Sequence, residues 1–307
     1  MCFVWPRLKL PHSFDHGQNK HVSITICAMH CLMWRLHMVK HAPFAKEHVQ
    51  NYRPISLLPI VSKVLERCVL NGTKAHLYQV ISPLQHGFCT GRSCVTNLLE
   101  AFDYIGSLLD SGSQVDTIYL DMSKAFNKVS HIRLIHKLSL DGFGGKLLNW
   151  FHSYLSGRRQ RVTVLGNTSK DLPVTSGVSQ GSILGPALFL LYVNDLPEVV
   201  SSSRVMMFAD DTKIFREIKT LGAASSLQTD LRRFETWSQT SGLVFNEAKC
   251  KAQRITRKTK PIISTYKLNN TLLGTYAAEK DLGVWITNDL SWNKQVCSNL
   301  HMPTNFL

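Results

Sequence analysis

"MMFADDTKIF", residues 206–215, sets two adjacent carboxylates, Asp210 and Asp211, inside an apolar run. The flanks Val205–Phe208 and Ile214–Phe215 read as short strands, and Ala209-Asp210-Asp211-Thr212 reads as the tight turn that joins them. Two-residue hairpin turns favour Asn-Gly or Asp-Gly, because both central residues take positive φ. Asp-Asp brings no glycine and adds like-charge repulsion. A solvated turn tolerates such a pair, since Asp is common in turns. A bound divalent cation would make use of it.

The chain of 307 residues is 44% hydrophobic, enough for one large core or two modest ones. Its formal charge is +14 although only 18% of residues are charged. That excess points to a polyanionic partner, nucleic acid before membrane. Eight cysteines without regular spacing fit reduced thiols in an intracellular protein of the nucleus or cytoplasm. Residues 1–48 differ from the rest and hold seven of the 13 histidines. Their apolar stretch, Val22 to Met38, is broken by His30, Arg35 and His37, too short and polar to span a membrane, and no signal peptide opens the chain. Cys27, Cys31, His37 and His41 lack the gap of about a dozen residues that a zinc finger needs. Residues 1–48 are therefore expected to be an unrelated or poorly ordered leader.

From Asn51 onward helical and strand periods alternate. Residues 62–77 and 93–112 have amphipathic helical spacing, the second stopping at Gly112. Residues 114–122 are β-rich and put Tyr119, Asp121 and Ser123 on one face. Two further helices flank the Gly142–Gly145 breaks, and residues 159–166 and 168–177 read as a hairpin. "GPALFLLYVNDLPEVV" (185–200) predicts an apolar helix opened by Pro186, and 227–242 a helix stopped by Gly242. The order is α+β, without internal repeat, P-loop or GxGxxG.

Asp121, at the end of its strand, can meet Asp210 and Asp211 only through tertiary folding. Brought together, three carboxylates repel unless cations bridge them. Carboxylates with substrate phosphates make a typical Mg²⁺ environment. Two such ions about 3.5–4 Å apart clamp the attacking and leaving oxygens of an in-line displacement. Together with the basic charge, this suggests nucleotidyl transfer on nucleic acid.

Seven stretches in order make the suggestion specific: "NYRPISLLP" (51–59), "QHGFCTGRSCVTNLL" (85–99), "YLDMSKAFNKVSH" (119–131), "GVSQGSILGPALFLLYVNDLP" (177–197), "FADDTKIF" (208–215), "GLVFNEAKC" (242–250) and "DLGVWITNDLSW" (281–292). Over about residues 50 to 298 the chain resembles the reverse transcriptase domain of LINE-type (non-LTR) retrotransposons. The resemblance implies an α+β right-hand polymerase: fingers and a palm of small antiparallel sheet backed by helices, spanning residues 49–298, with a truncated thumb and a tail at 299–307. It implies an RNA-directed DNA polymerase that uses Mg²⁺ (two ions, with Mn²⁺ as a substitute), an RNA template, a DNA primer and dNTPs, without a membrane partner. Asp121 and Asp210 would hold the metals, the Met122 carbonyl would add an oxygen, and Asp211 would stand beside them. Phe126 matches the aromatic that excludes a ribose 2′-OH. Gln180 and Gly181 match positions against nucleotide and template, Lys249 the lysine near the pyrophosphate, and Arg53 and Arg92 basic positions on the triphosphate. Arg158, Arg159, Arg161, Arg254, Arg257, Lys258 and Lys260 suit backbone phosphates.

The sequence departs from the family pattern at Asn127, where Asp is usual, and at Ser179, where Pro is usual. No endonuclease pattern precedes the polymerase motifs, so a fragment or decayed copy of a mobile element is expected. The rival from another class is a catalytically silent nucleic-acid-binding relic. An RNA-dependent RNA polymerase is disfavoured by Phe126, and a metal nuclease leaves Phe126 and Gln180 unexplained.

Overall fold

A computed structural model of the chain describes residues 34–40, 52–164 and 167–300. The elements in order are β1 (Trp34–Lys40), β2 (Tyr52–Leu57), α1 (Ile60–Val80), α2 (Cys94–Asp110), β3 (Val115–Leu120), α3 (Ala125–Lys128), α4 (His131–Leu140), α5 (Gly145–Leu155), β4 (Arg159–Val164), β5 (Asn167–Thr168) and β6 (Leu172–Pro173). There follow α6 (Gly185–Tyr192), β7 (Arg204–Phe208), β8 (Asp211–Glu217), α7 (Leu221–Ser241), β9 (Lys251–Ile255), the short β10 (Lys267–Leu268), β11 (Thr271–Leu272) and β12 (Gly274–Thr275), β13 (Ala278–Asp281), β14 (Val284–Thr287) and α8 (Asn293–Leu300). They form two compact units. One comprises the described residues up to Gly72 with Ser130–Gly185, the other Thr73–Val129 with the described residues from Pro186 onward.

The second unit is built on a five-stranded sheet in the order β12-β9-β3-β8-β7, antiparallel except for the β12–β9 pair. The register pairs Thr117 with Phe215, Val115 with Ile255 and Met206 with Lys213. Directly opposed residues share a face, so Val115, Thr117 and Tyr119 line one side with Met206, Lys213, Phe215 and Ile255. At one end this face is apolar. Val115, Met206, Phe215 and Ile255 pack there with Leu98, Ala101, Ile105 and Leu109 of α2 and with Ile286 of β14. Further along, the same face turns polar: Lys213, Lys251 and Tyr119 replace the aliphatic side chains. The opposite face carries Ile118, Ile214 and Ala252, all buried, and α7, with Leu227, Leu231 and Phe234 buried, packs against β8. Both faces of β3 are buried, and its one acid, Asp116, is held there by Tyr266 OH at 2.7 Å and Gln114 Nε2 at 2.9 Å.

Helix ends follow their sequence signals. Ser93 and Thr96 form a reciprocal capping box on α2. Thr220 caps α7, which stops at Gly242 in the left-handed region (φ +78°) as the sequence predicts. The predicted 185–200 helix ends at Tyr192 and resumes as a 3-10 turn over Leu196–Val199, because Pro197 has no N–H to continue an α-helix.

In the first unit β1 runs antiparallel to β2 and parallel to β4, and β4 pairs with β5 and β6, so the predicted 159–177 hairpin forms. Residues 34–40, expected to belong to a leader, supply the middle strand β1 between β2 and β4. Alternation at Trp34, Leu36 and Met38 suits a strand as well as it suits a broken apolar run, which is why sequence missed it. The rest of the expected leader, with its zinc-finger candidates other than His37, lies outside the described residues, as do residues 301–307 of the expected 299–307 tail, whose first two residues end α8. Helices α4 and α5 pack together, with Phe143 and Phe151 edge to face at 5.8 Å.

Candidate active site

The site is a consequence of register. The last β3–β8 pair is Leu120↔Thr212, so the next step sets Asp121 level with Asp211. On the other side Tyr119 pairs with Lys251, which brings Asp121 level with Lys249. The three lie on the polar end of the face, where α2 contributes only Asn97 to the cavity lining. Lys249 Nζ is 2.9 Å from Asp121 Oδ2, and both side chains are partly exposed. The backbone carbonyl of Asp121 accepts from Asn246 N at 2.8 Å. A cavity of about 390 Å³ opens here, lined by Asp121, Asp211, Lys249 and Tyr119 among others.

The hairpin differs from the prediction by one residue. Phe208 pairs with Asp211, so the two-residue loop is Ala209-Asp210, and Asp211 is the first residue of β8. The two carboxylates therefore do not share the loop: Asp210 stands in the turn and Asp211 in the ladder. The positive φ that Asp-Asp would strain falls instead on Ala209, at +57°. Its smaller side chain is buried.

A second segment holds this turn. Leu84 and His86 bond along β7 through Met207 N to Leu84 O (3.0 Å) and His86 N to Met207 O (2.9 Å). Gln85, buried between them, accepts from Ala209 N and from Gly87 N through Oε1, each at 2.8 Å. Its Nε2 donates to Ala209 O at 3.4 Å. A Cβ on Gly87 would stand 2.4 Å from Ala209 N, so only glycine fits there. Asn97 Nδ2 donates to Met207 O at 3.1 Å. Gln85, Gly87 and Asn97 carry no charge and no metal-ligand chemistry, so sequence reasoning from site chemistry passed over them.

The β13–β14 hairpin contributes acids to the same cavity. Lys213 and Asp281 form a buried ion pair, and Lys251 Nζ meets Glu279 Oε2 at 2.8 Å. Tyr119 donates to Gln253 Oε1 at 3.0 Å. Burial, then the carboxylates of Asp281 and Glu279, push its phenol well above the ordinary value. Cys250, buried beside Asp121, is pushed up to about 11, chiefly by burial.

The remaining predicted residues divide between the units. Phe126 is buried and stacked on Phe189 at 4.4 Å, with exposed Phe88 edge-on at 6.4 Å. Met122 bridges to Phe245 through bonds made by its neighbours, Ser123 N to Val244 O and Asn246 N to Asp121 O, so neither bond uses the Met122 carbonyl. Arg92 Nη1 donates to the carbonyls of Ser82, Pro83 and Gln85, at 3.3, 2.7 and 2.6 Å, and so staples the loop ahead of α2. Gln180 and Gly181 lie in the first unit, on a turn before α6. Gln180 O accepts from Ser56 N at 2.7 Å. Gly181 takes φ +98° and its Cβ position lies 2.9 Å from Ser56 O, so the residue has to be glycine. Glu66, buried in α1, accepts from Ile183 N (2.7 Å), Leu184 N (3.3 Å) and Tyr154 OH (2.8 Å), anchoring this loop. In sequence Glu66 looked like one more polar position of an amphipathic helix. Ser179 is buried and its hydroxyl has no partner. Arg53 occupies β2 opposite Val39.

The helix-backed antiparallel sheet is the polymerase fold. Telomerase from Candida tropicalis, solved in complex with a TWJ fragment of telomeric RNA, superposes with a TM-score of 0.59 at 11% identity, covering 85% of this chain and 45% of that one. The family model for reverse transcriptase (RNA-dependent DNA polymerase) matches residues 43–276, and the chain belongs to that family. It is 32% identical over 273 residues to "Probable RNA-directed DNA polymerase from transposon X-element" of Drosophila melanogaster, 86% of this chain and 30% of that protein. The RNA-directed DNA polymerase from mobile element jockey of the same fly is 29% identical over 260 residues, 81% of this chain and 28% of that one. The chain thus spans under a third of either relative's length and is related to non-LTR retrotransposon polymerases.

Proposed function

We propose that the chain carries the polymerising centre of an RNA-directed DNA polymerase, joining a dNTP to a primer 3′-OH on an RNA template with loss of pyrophosphate. What supports this is one juxtaposition: Asp121 and Asp211, on adjacent strands at the same level, line one cavity, with Asp210 on the turn beside them. Among the described residues no three His, Cys, Asp or Glu side chains close into a metal cage. The donor set nevertheless suits Mg²⁺, which binds through one or two carboxylates and takes its other oxygens from phosphates and water. Asp121, Asp210 and Asp211 would hold the ions, with the Met122 carbonyl as a further oxygen. When bound, the ions supply the charge that stabilises the attacking and leaving oxygens of the in-line displacement.

The chain's own side chains do the rest. Lys249, held on Asp121 at 2.9 Å, lines the same cavity and would meet the charge of a departing pyrophosphate. Phe126, held by its stack on Phe189, would reject a 2′-hydroxyl by bulk without bonding to it, a role that rests on its motif. The nucleotide contacts proposed for Gln180, Gly181 and Arg53 rest on their motifs. The test is primer extension on poly(rA) by wild type and Asp210→Asn, with RNA binding measured in parallel. Extension should vanish in the variant while binding persists. Near-normal extension by Asp210→Asn overturns the assignment, and a wild type that binds duplex without adding one nucleotide identifies the silent relic.

A further inference from the structure

We propose that Gln85 is a positioning residue of this site: its buried amide fixes the Ala209-Asp210 turn and thereby aims the Asp210 carboxylate. This rests on the role proposed for Asp210. A two-residue turn with alanine at φ +57° is not a conformation its own sequence favours. Strain of that kind persists where surrounding structure over-determines it. Here the surroundings are identifiable. Gln85 Oε1 accepts the Ala209 and Gly87 amides together, at 2.8 Å each, and Nε2 returns a bond to the Ala209 carbonyl. Both main-chain groups of the residue before Asp210 are thus bound by one side chain. Gly87 brings a second backbone flat against the turn, where a methyl group would collide. The amide is neutral, so it directs the turn without competing for a cation.

A merely structural glutamine would lower stability everywhere; a positioning one has a local signature. In the full chain, Gln85→Leu removes all three bonds at similar volume. Hydrogen–deuterium exchange should rise in peptides covering 204–217 and stay unchanged in α7. In primer extension kcat should fall on the order of 100-fold, the usual consequence of misplacing a reacting group by about an ångström. KM for dNTP should barely move, and raising Mn²⁺ should restore part of the rate. Gln85→Glu keeps the acceptor for both amides and should recover most of the protection and rate. If Gln85→Leu fails to fold, Gly87→Ala displaces the same turn without touching the amide and should reproduce the kcat loss. Unchanged exchange at 204–217 in Gln85→Leu, or unchanged kcat in both the Leu and Ala variants, overturns the proposal. A wild type silent in extension defeats the polymerase reading instead, and the exchange comparison alone then decides whether Gln85 holds the turn.

Discussion

Asp281→Ala should be among the most damaging single substitutions outside the acidic cluster. Lys213 and Asp281 retain only 7% and 10% of their side-chain exposure, so removing Asp281 strands an ammonium in a site built for an ion pair. Breaking a buried pair by deleting one partner costs about 3–5 kcal/mol, against a total domain stability of roughly 5–15 kcal/mol. For a domain of this size each kcal/mol is worth about 2–4 °C, so the melting temperature should fall by roughly 6–20 °C. Glu279 of the same hairpin is committed to Lys251 at 2.8 Å. Replacing both partners with apolar groups, Lys213→Met with Asp281→Leu, should recover most of the loss, because desolvation and attraction then vanish together. Urea and thermal melts of the two singles and the double close a mutant cycle. An Asp281→Ala protein melting within about 2 °C of wild type would refute the claim that this pair is buried and necessary.

Phe126→Val should raise the ratio of rNTP to dNTP incorporation and, by emptying the stack on Phe189, cost about 1–3 kcal/mol; an unchanged ratio in an active variant counts against the gate. Burial holds His86 below the ordinary histidine value, with Arg92 and Lys213 acting the same way and Glu100 opposing. The unfolded chain therefore takes up the proton first, and stability should decline as pH falls from about 6.5 toward the lower folded value, a slope that His86→Gln should flatten in pH-dependent melts. Ser179→Pro should stabilise by about 0.4–1 kcal/mol or more, since it removes a buried orphan hydroxyl as well as chain entropy; a lower melting temperature would show that the serine N–H is needed. Iodoacetamide at pH 8 should label exposed Cys68 and Cys297 and spare Cys250, whose thiol is buried and pushed up to about 11; peptide mass spectrometry reads the sites.

Asp210 and Asp211 stood out in the sequence because charge inside an apolar run is unusual, and the fold sets Asp211 level with Asp121 at one cavity; Phe126 was singled out only through the family resemblance, and it is buried in a stack on Phe189. The stop of α7 at Gly242 was legible because it obeys a local rule, a glycine free to take the left-handed region. The exact hairpin loop was not, because two of its candidate frames differ only in whether alanine or aspartate carries the positive φ. Tertiary contact decided it: Gln85 binds Ala209, and no local propensity encodes a bond across that distance in sequence. Glu66 was hidden for a related reason. Its helix pattern is the same whether the carboxylate is solvated or buried against Ile183 and Leu184. Strand β1 was missed because a half-apolar run of seven residues satisfies several periods at once.

The face shared by Asp121, Asp211 and Lys249 has a consequence for which lesions the molecule can absorb. Side chains of a strand obey an odd–even rule, so losing one residue within β8 would invert every later side chain relative to the turn. If the loss precedes Lys213, Phe215 would turn to the face Ile214 holds now, and Lys213 would leave Asp281 for the α7 side. Losing two residues would keep the parity and shorten only the ladder. Single-residue and double-residue deletions in this strand should thus differ in kind, the smaller being the more harmful. A substitution in β8 damages one position; a frame shift of one residue along the ladder rewrites the site from the sheet upward.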